Sequence, residues 1–324
     1  MSRNRNRILL IDGNNLFVRN FSINPSLDSG GIPVGGVIGC IRSINKLCRT
    51  INPDNVVFVW DGQGGSLRRR QQVKEYKEGR KPPKLNRMFR HDEADEKQNK
   101  IDQQIRLIEY LNYTPVVQFM IEQVEADDVI AWLSCCGEFT GQQKVIISND
   151  KDFFQLVSAE TETVLLRPVN DEIMTPQRLV EAYDIHPTNF ALARAVAGDT
   201  SDNLRGVPRV GLKSLVKSVP LFSTDDFLTI ENLLSFCQEQ IDDGSKAKTF
   251  SSIIEYQDTI ETNYRVMNLS SPLLSFQDKE SLRETLRNFK PAWNKTKFVT
   301  KLARDGFGIY DLSDMYSTFK RMSS

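Results

Sequence analysis

Five short acidic clusters, four of them closing an apolar run, constrain this chain more than any other feature. The first two are Asp12, after Ile8-Leu9-Leu10-Ile11, and Asp61, after Val56-Val57-Phe58-Val59-Trp60. The others are Glu125-Ala126-Asp127-Asp128 after Val124, Ser148-Asn149-Asp150-Lys151-Asp152 after Val145-Ile146-Ile147, and Gly198-Asp199-Thr200-Ser201-Asp202-Asn203. A short apolar run bounded by polar residues reads as a buried parallel strand, and ligands of open α/β sheets sit just beyond the carboxyl ends of such strands. Nine carboxylates, Asp12, Asp61, Glu125, Asp127, Asp128, Asp150, Asp152, Asp199 and Asp202, are therefore expected around one pocket. Carboxylates that converge repel one another unless something cationic sits among them. Oxygen ligands with no Cys or His beside them favour Mg²⁺ or Mn²⁺, and a pocket with this many can hold two ions. Two ions suit phosphodiester hydrolysis, one activating water and both stabilising the attacking and leaving oxygens.

Strands are expected at about 8–11, 56–60, 115–119, 144–148 and 163–167, alternating with helices at about 34–50, 100–112, 126–136 and 176–184. Such alternation means an α/β fold with a mostly parallel central sheet flanked by helices. Asp127 and Asp128 open a helix, where the helix dipole offers an alternative reason for negative charge. The 324 residues suffice for one elaborate domain or two unequal ones, divided here as an α/β core over 1–190 and a helical region over 191–324. Five scattered cysteines show no metal-ligand spacing and argue for a reduced, cytoplasmic setting. Neither an export signal nor a membrane anchor is found. Trp60, Trp132, Phe153 and Phe154 read as core, and the two histidines of the chain offer no general base.

Net charge is zero, yet residues 1–90 hold seventeen Lys/Arg against six Asp/Glu, which points to a polyanion partner. Ten of these basic residues lie between Arg68 and Arg90, around Pro82-Pro83. A run of this kind reads as a solvated face, or, directly after a strand of the acidic pocket, as a helical insertion over it. Its Lys and Arg clamp phosphates, and Tyr76 and Phe89 stack on splayed bases. Farther on, Gly206-Val207-Pro208-Arg209-Val210-Gly211-Leu212-Lys213 reads as a tight hairpin between two helices, gripping a duplex backbone without reading its sequence. Amphipathic helices are expected at about 226–240 and 279–288, without a motif.

In order and spacing, these motifs resemble the flap endonuclease, or 5′ nuclease, superfamily, including bacteriophage 5′→3′ exonucleases and the 5′-nuclease domain of bacterial DNA polymerase I. The resemblance runs from Leu10-Ile11-Asp12-Gly13-Asn14-Asn15-Leu16 to Lys213, about two thirds of the chain. It implies a first metal at Asp12, Asp61, Glu125, Asp128 and Asp150, with Asp127 close by, and a second toward Asp152, Asp199 and Asp202. Glu75-Tyr76-Lys77-Glu78-Gly79-Arg80 is similar to the family's arch, placed at about 68–100, which implies that Lys77 and Arg80 stabilise the transition state while Arg19 lies near the scissile phosphate. Arg68 and Arg69 both stand as candidates for the arch arginine, and Arg70 and Tyr76 join them in contacting DNA. Gly206, Val207, Arg209, Gly211 and Lys213 correspond to a helix-three-turn-helix at about 190–220 that grips duplex and holds K⁺.

The implied activity is that of a monomeric, stand-alone enzyme removing RNA primers and 5′ flaps during DNA replication, with ribonuclease H activity included. Its partners would be branched or nicked duplex DNA and RNA/DNA hybrid, together with single-stranded-DNA-binding protein or other replisome proteins, in a phage-infected bacterial cytoplasm. Two alternatives are weighed and disfavoured, since arch and hairpin motifs are both present and no metal carboxylate is lost. An RNA-cleaving nuclease of the related PIN fold shares the acidic pocket but lacks arch and hairpin, and a non-catalytic junction-binding protein would have lost metal carboxylates.

Overall fold

The computed structural model describes residues 6–86 and 93–324. Parallel strands form at the apolar runs: β1 (Arg7–Asp12), β2 (Asn55–Trp60), β3 (Val117–Met120), β4 (Gln143–Ile147) and β5 (Thr163–Arg167), with β6 (Glu172–Met174) added antiparallel at the edge. The order is β3-β2-β1-β4-β5-β6, so successive crossovers run outward in opposite directions from the β1/β4 pair. A crevice must open where the direction reverses, just past the carboxyl ends of β1 and β4. Asp12 closes β1, and Asp150 follows β4 by three residues.

Side chains alternate across this sheet, and both faces are buried. The helices are α1 (Gly13–Ile23), α2 (Gly35–Ile51), the single turn α3 (Leu67–Arg70), α4 (Glu93–Leu111), α5 (Ala126–Cys135), α6 (Pro176–Tyr183) and α7 (Pro187–Ala197). The rest are α8 (Leu212–Ser218), α9 (Ile230–Asp242), α10 (Lys248–Glu255), α11 (Gln257–Met267), α12 (Phe276–Asn288), α13 (Lys295–Arg304) and α14 (Ser313–Met322). Ile8, Leu10, Val57, Val59 and Ile146 face a core shared with α5, α7 and the helices through α12. Leu9, Ile11, Val56, Phe58 and Val145 face a second core under α1, α2 and α4, closed by Phe298, Leu302, Met315 and Phe319 of α13 and α14. Residues 191–324 therefore contribute to both cores rather than standing apart from residues 1–190. Trp60, Trp132, Phe153 and Phe154 are all buried. Among the described residues, no helix is long and apolar enough to cross a membrane.

Three features depart from the sequence reading. Helix α1 was not anticipated, because Gly13-Asn14-Asn15 looks like a loop; it starts there because the Asp12 side chain caps it. The stretch after Asp61, expected as a helical insertion to about residue 100, is helical only in part: beyond α3 it runs through turns to Gly79 and without regular structure to Asn86, and α4 occupies it from Glu93 on. Phe89 lies outside the described residues, as does part of the arch placed at 68–100. In addition, the loop between α7 and α8 contains a two-residue ladder, β7 (Gly198–Asp199) against β8 (Leu204–Arg205).

That ladder brings Gly206 hard against the end of α7. A Cβ there would stand 2.2 Å from the Ala197 carbonyl carbon and oxygen and 2.5 Å from the Gly198 nitrogen, all backbone atoms that cannot swing aside. Gly206→Ala should destabilise the protein by about 1–3 kcal/mol, as overpacking does. Urea titration reads this directly, and an unchanged midpoint would contradict the packing.

Candidate metal centre

Asp12 leaves β1 at the floor of a cavity of about 720 Å³. Its Oδ1 accepts from Asn15 N at 3.0 Å and its Oδ2 from Ser148 Oγ at 2.8 Å, which ties the ends of β1 and β4 together. Helix α1 can turn away immediately because residue 13 is glycine; a Cβ would lie 2.3 Å from the Phe58 ring and 2.7 Å from the Val59 carbonyl. Asp61, beyond β2, accepts from Ala126 N at 2.8 Å and from the Asn14 amide. Asp127 and Asp150 complete the carboxylates of this cavity. Asp150 Oδ1 accepts from Asp152 N at 2.9 Å, so one tight turn delivers two carboxylates to neighbouring positions.

Those neighbours form a second group. Asp152, Asp199 and Asp202 each offer an oxygen, all within 4.8 Å of one another. Arg194, in the last turn of α7, donates from Nε to Asp152 at 3.1 Å and from Nη2 to Asp199. Asp199 also accepts from Ser201 N and Oγ at 2.8 and 2.7 Å. Asp202 Oδ2 accepts from the Tyr76 hydroxyl at 3.1 Å, whereas its buried Oδ1 has no hydrogen-bond partner.

Glu125 and Asp128 do not line the cavity, although both are expected above as ligands of the first metal. Asp128, 1% exposed, lies against Arg69 at 2.5 and 3.2 Å and accepts from Leu273 N at 2.8 Å. Consecutive residues of a helix point about 100° apart, and at the start of α5 this offset turns Asp127 and Asp128 in different directions. Asp127 faces the cavity and Asp128 faces the core. Glu125 is held by Lys77 Nζ at 2.8 Å, Arg69 Nη1 at 3.1 Å and the Tyr76 hydroxyl at 3.2 Å.

The same contacts place the basic residues. Arg69 is buried, also donates to the Val266 carbonyl, and is closed to solvent, contrary to its expected role on DNA. Tyr76 is buried too, so it offers no stacking face. Arg68 pairs with Asp278 at 2.8 Å, and Arg70 donates to the Tyr76 carbonyl. From Tyr76 the chain crosses the cavity as a strap, presenting Lys77, Arg80, Lys81 and Pro83 to it, and is pinned on the far side where Leu85 enters the core and Ser22 Oγ donates to the Lys84 carbonyl. Arg19 lines the cavity as expected; Lys100 and Arg167 also line it and were not singled out from sequence, because neither belongs to an acidic motif. In the 206–213 hairpin Arg209, Gly211 and Lys213 are exposed, Gly206 is half-buried, and Val207 is a core residue.

The balance of burial and neighbouring charge differs from one carboxylate to the next, and it leaves Asp152 raised despite its bond to Arg194. Burial, with Asp61 and Asp150 adding repulsion, raises Asp12 to about 7, and burial together with Asp150 raises Asp152 to about 7. Burial and the neighbouring Asp150 and Asp12 push Asp127 well above the usual range. Burial acts the same way on Glu125 and Asp199, but Lys77 and Arg69 outweigh it at the first and Arg194 at the second, leaving both below their ordinary values. An all-oxygen donor set, several of its members short of positive charge and one of its oxygens buried without a partner, fits hard divalent cations.

An α/β sheet with a switch-point cavity, an oxygen-only cluster at its strand ends and a basic strap across it combines donors that fit divalent ions with positive charge that fits a negatively charged ligand. Residues 7–184 match the family described as 5′-3′ exonuclease, N-terminal resolvase-like domain, and the chain belongs to that family. It is 30% identical over 259 residues to DNA polymerase I of Bacillus subtilis, covering 78% of this chain and 27% of that enzyme. The chain thus spans about a quarter of the length of the polymerase relatives it matches. With a 5′-3′ exonuclease of Aquifex aeolicus it shares 26% identity over 90% of this chain and 89% of the other. The bacteriophage T5 flap endonuclease, solved in a pseudo-enzyme-product complex with DNA and metal ions, has the same fold, with a TM-score of 0.65 at 17% identity over 93% of this chain and 99% of that one.

The raised carboxyls fix the sign of a pH dependence. Asp12 and Asp152 keep protons in the folded protein at pH values where the unfolded chain, with an ordinary value of 3.8, has lost them. Their stabilisation is therefore complete below that value and is lost as pH rises through about 7. Glu125 and Asp199 act oppositely, but only in acid, at and below their ordinary values. In EDTA the Tm should fall between pH 5 and pH 8, Asp12→Asn should flatten the fall, and Mg²⁺ at pH 8 should reverse it. Thermal melts across that window check this, and a Tm rising with pH in EDTA would refute it.

Proposed function

We propose that the protein is a 5′ nuclease that hydrolyses phosphodiester bonds near 5′ ends in branched, nicked or flapped DNA and RNA/DNA hybrid. The observation that carries the reading is the juxtaposition of two carboxylate groups with a strap that brings Lys77, Arg80 and Lys81 into the cavity beside them. Asp12, Asp61, Asp127 and Asp150 would hold one divalent ion, and Asp152, Asp199 and Asp202 the other. Mg²⁺ or Mn²⁺ bound there supplies water activation and charge neutralisation at the attacking and leaving oxygens.

The side chains do the rest. Lys77 and Arg80 give fixed positive charge where a phosphate gains negative charge, and Arg19, Lys100 and Arg167 hold that phosphate from the cavity walls. The Tyr76 hydroxyl and Arg69 keep Glu125, Asp202 and Asp128 in place. Duplex backbone rests on the hairpin through Arg209, Gly211 and Lys213, and K⁺ binding there belongs to the same reading. Unpairing the terminal nucleotides is least costly at an end or junction, so structure selects the site of cutting. Removal of RNA primers and flaps in replication, acting as a monomer alongside single-stranded-DNA-binding protein, is the role this supports.

A 5′-labelled flap duplex in Mg²⁺ tests it. Short 5′ fragments should appear, and should vanish with EDTA and with Asp150→Ala; binding without metal-dependent cutting would favour a non-catalytic junction binder instead. Two adjacent aspartates should then behave differently. Asp127→Ala should lower kcat by about 100-fold or more while leaving the fold intact. Asp128→Ala leaves buried Arg69 undercompensated and should cost about 3 kcal/mol of stability. Equal losses of stability in the two variants would contradict this division.

A further inference from the structure

Arg194 has no part in the chemistry above, yet it occupies the mouth of the second carboxylate group. Its guanidinium bonds two of the three members, Asp152 and Asp199, and its side chain is 14% exposed. Guanidinium keeps its charge at every pH the protein meets, so it cannot yield by losing a proton. The third member, Asp202, is 8% exposed, and its Oδ1 is the oxygen left without a hydrogen bond. Arg80 reaches no nearer than 3.9 Å to that atom and is itself largely in solvent. The group is thus two-thirds satisfied by an internal cation, with one oxygen still vacant.

The first group is different. Asp12 and Asp61 accept neutral donors from Asn15, Ser148, Ala126 and Asn14, and the hydrogen bonds of Asp150 run to neutral groups as well. A divalent ion entering there finds carboxylates hydrogen-bonded to neutral donors, whereas one entering the second group finds two of its carboxylates already bonded to a resident cation. We propose that Arg194 is a positioning residue that competes with the divalent ion for Asp152 and Asp199, so that the two groups fill in sequence, the Asp12 group first and the Asp152 group only at higher metal concentration. Arg194 holds Asp152 and Asp199 together while metal is scarce and must swing from them, or share them, when the second ion binds. This rests on the metal-dependent reading above, but what it predicts is cation binding, not cutting.

Mn²⁺ titration of the full chain, followed by electron paramagnetic resonance of the free ion, should show a tighter and a weaker class of site. In Arg194→Gln the weaker class should tighten by about tenfold or more, because a charge is removed while a hydrogen-bonding amide remains. In the wild-type chain the Arg194 Nε–H signal, assigned by its loss in Arg194→Lys, should move during the weaker step and not during the tighter one in Mg²⁺. That second measurement holds even where the glutamine variant folds poorly. Unchanged or weakened Mn²⁺ binding in Arg194→Gln, or an Nε–H signal that moves with the first ion, overturns the proposal and leaves the nuclease reading standing. A wild-type chain that binds Mn²⁺ but cuts nothing has the reverse effect.

Discussion

The carboxylates crowded at one end of a buried sheet are the constraint from which the rest of this structure follows. Placed together in low dielectric they repel, and each that stays ionised needs a partner. The chain meets this demand with cations drawn from distant segments: Arg69 and Lys77 from the insertion after β2, and Arg194 from α7. Pairing Arg69 with Glu125 and Asp128 also fixes the start of α5, and the Val266 carbonyl ties the same arginine to the end of α11. Charge compensation and packing of the helical region are thus one arrangement.

The compensation is incomplete, and the gap is informative. Glu125, Asp128, Asp152 and Asp199 have cations; Asp12, Asp61 and Asp150 have neutral donors. The Tyr76 hydroxyl lies within reach of both Glu125 and Asp202 but carries a single proton, so it can satisfy one of them at a time. A fold built for stability alone would fill such positions with apolar residues of similar volume. Retaining them is reasonable where a bound cation completes the set.

The parallel sheet was readable in the sequence because each buried strand is an unbroken apolar run, and its site end was readable because an acid closes β1 and follows β2 directly. The grouping of Asp152, Asp199 and Asp202 was likewise anticipated. What could not be read was side-chain direction within a motif. Glu125-Ala126-Asp127-Asp128 resembles one ligand set, yet helix geometry sends Asp127 to the cavity and Asp128 to Arg69. The same limit applies to Tyr76: its neighbours Lys77 and Arg80 suggest a nucleic-acid surface, but an aromatic ring between two charged residues can as readily be the anchor of the segment. Helix α1 was missed because Asn and Gly lower local propensity, while the Asp12 side chain, held in place by Ser148, caps the helix at Asn15.

Anchoring the strap at both ends explains how a segment with little regular structure can position charge. Tyr76 is fixed on the acidic side, and the Lys77 amide donates to the Asp202 carbonyl at 2.9 Å; on the other side Leu85 is buried beneath α1, α2 and α4. Between these points Pro82 and Pro83 restrict the backbone and Lys77, Arg80 and Lys81 project into the cavity. Lys77 holds a left-handed backbone, φ 55°, a conformation a β-carbon disfavours and which persists because its amide and its Nζ are both bound. Releasing Glu125 from Lys77 would therefore free the side chain and relax the turn together. On the proposed nuclease reading, a phosphate in the cavity would compete for that same Nζ and so couple substrate charge to the strap through a single lysine.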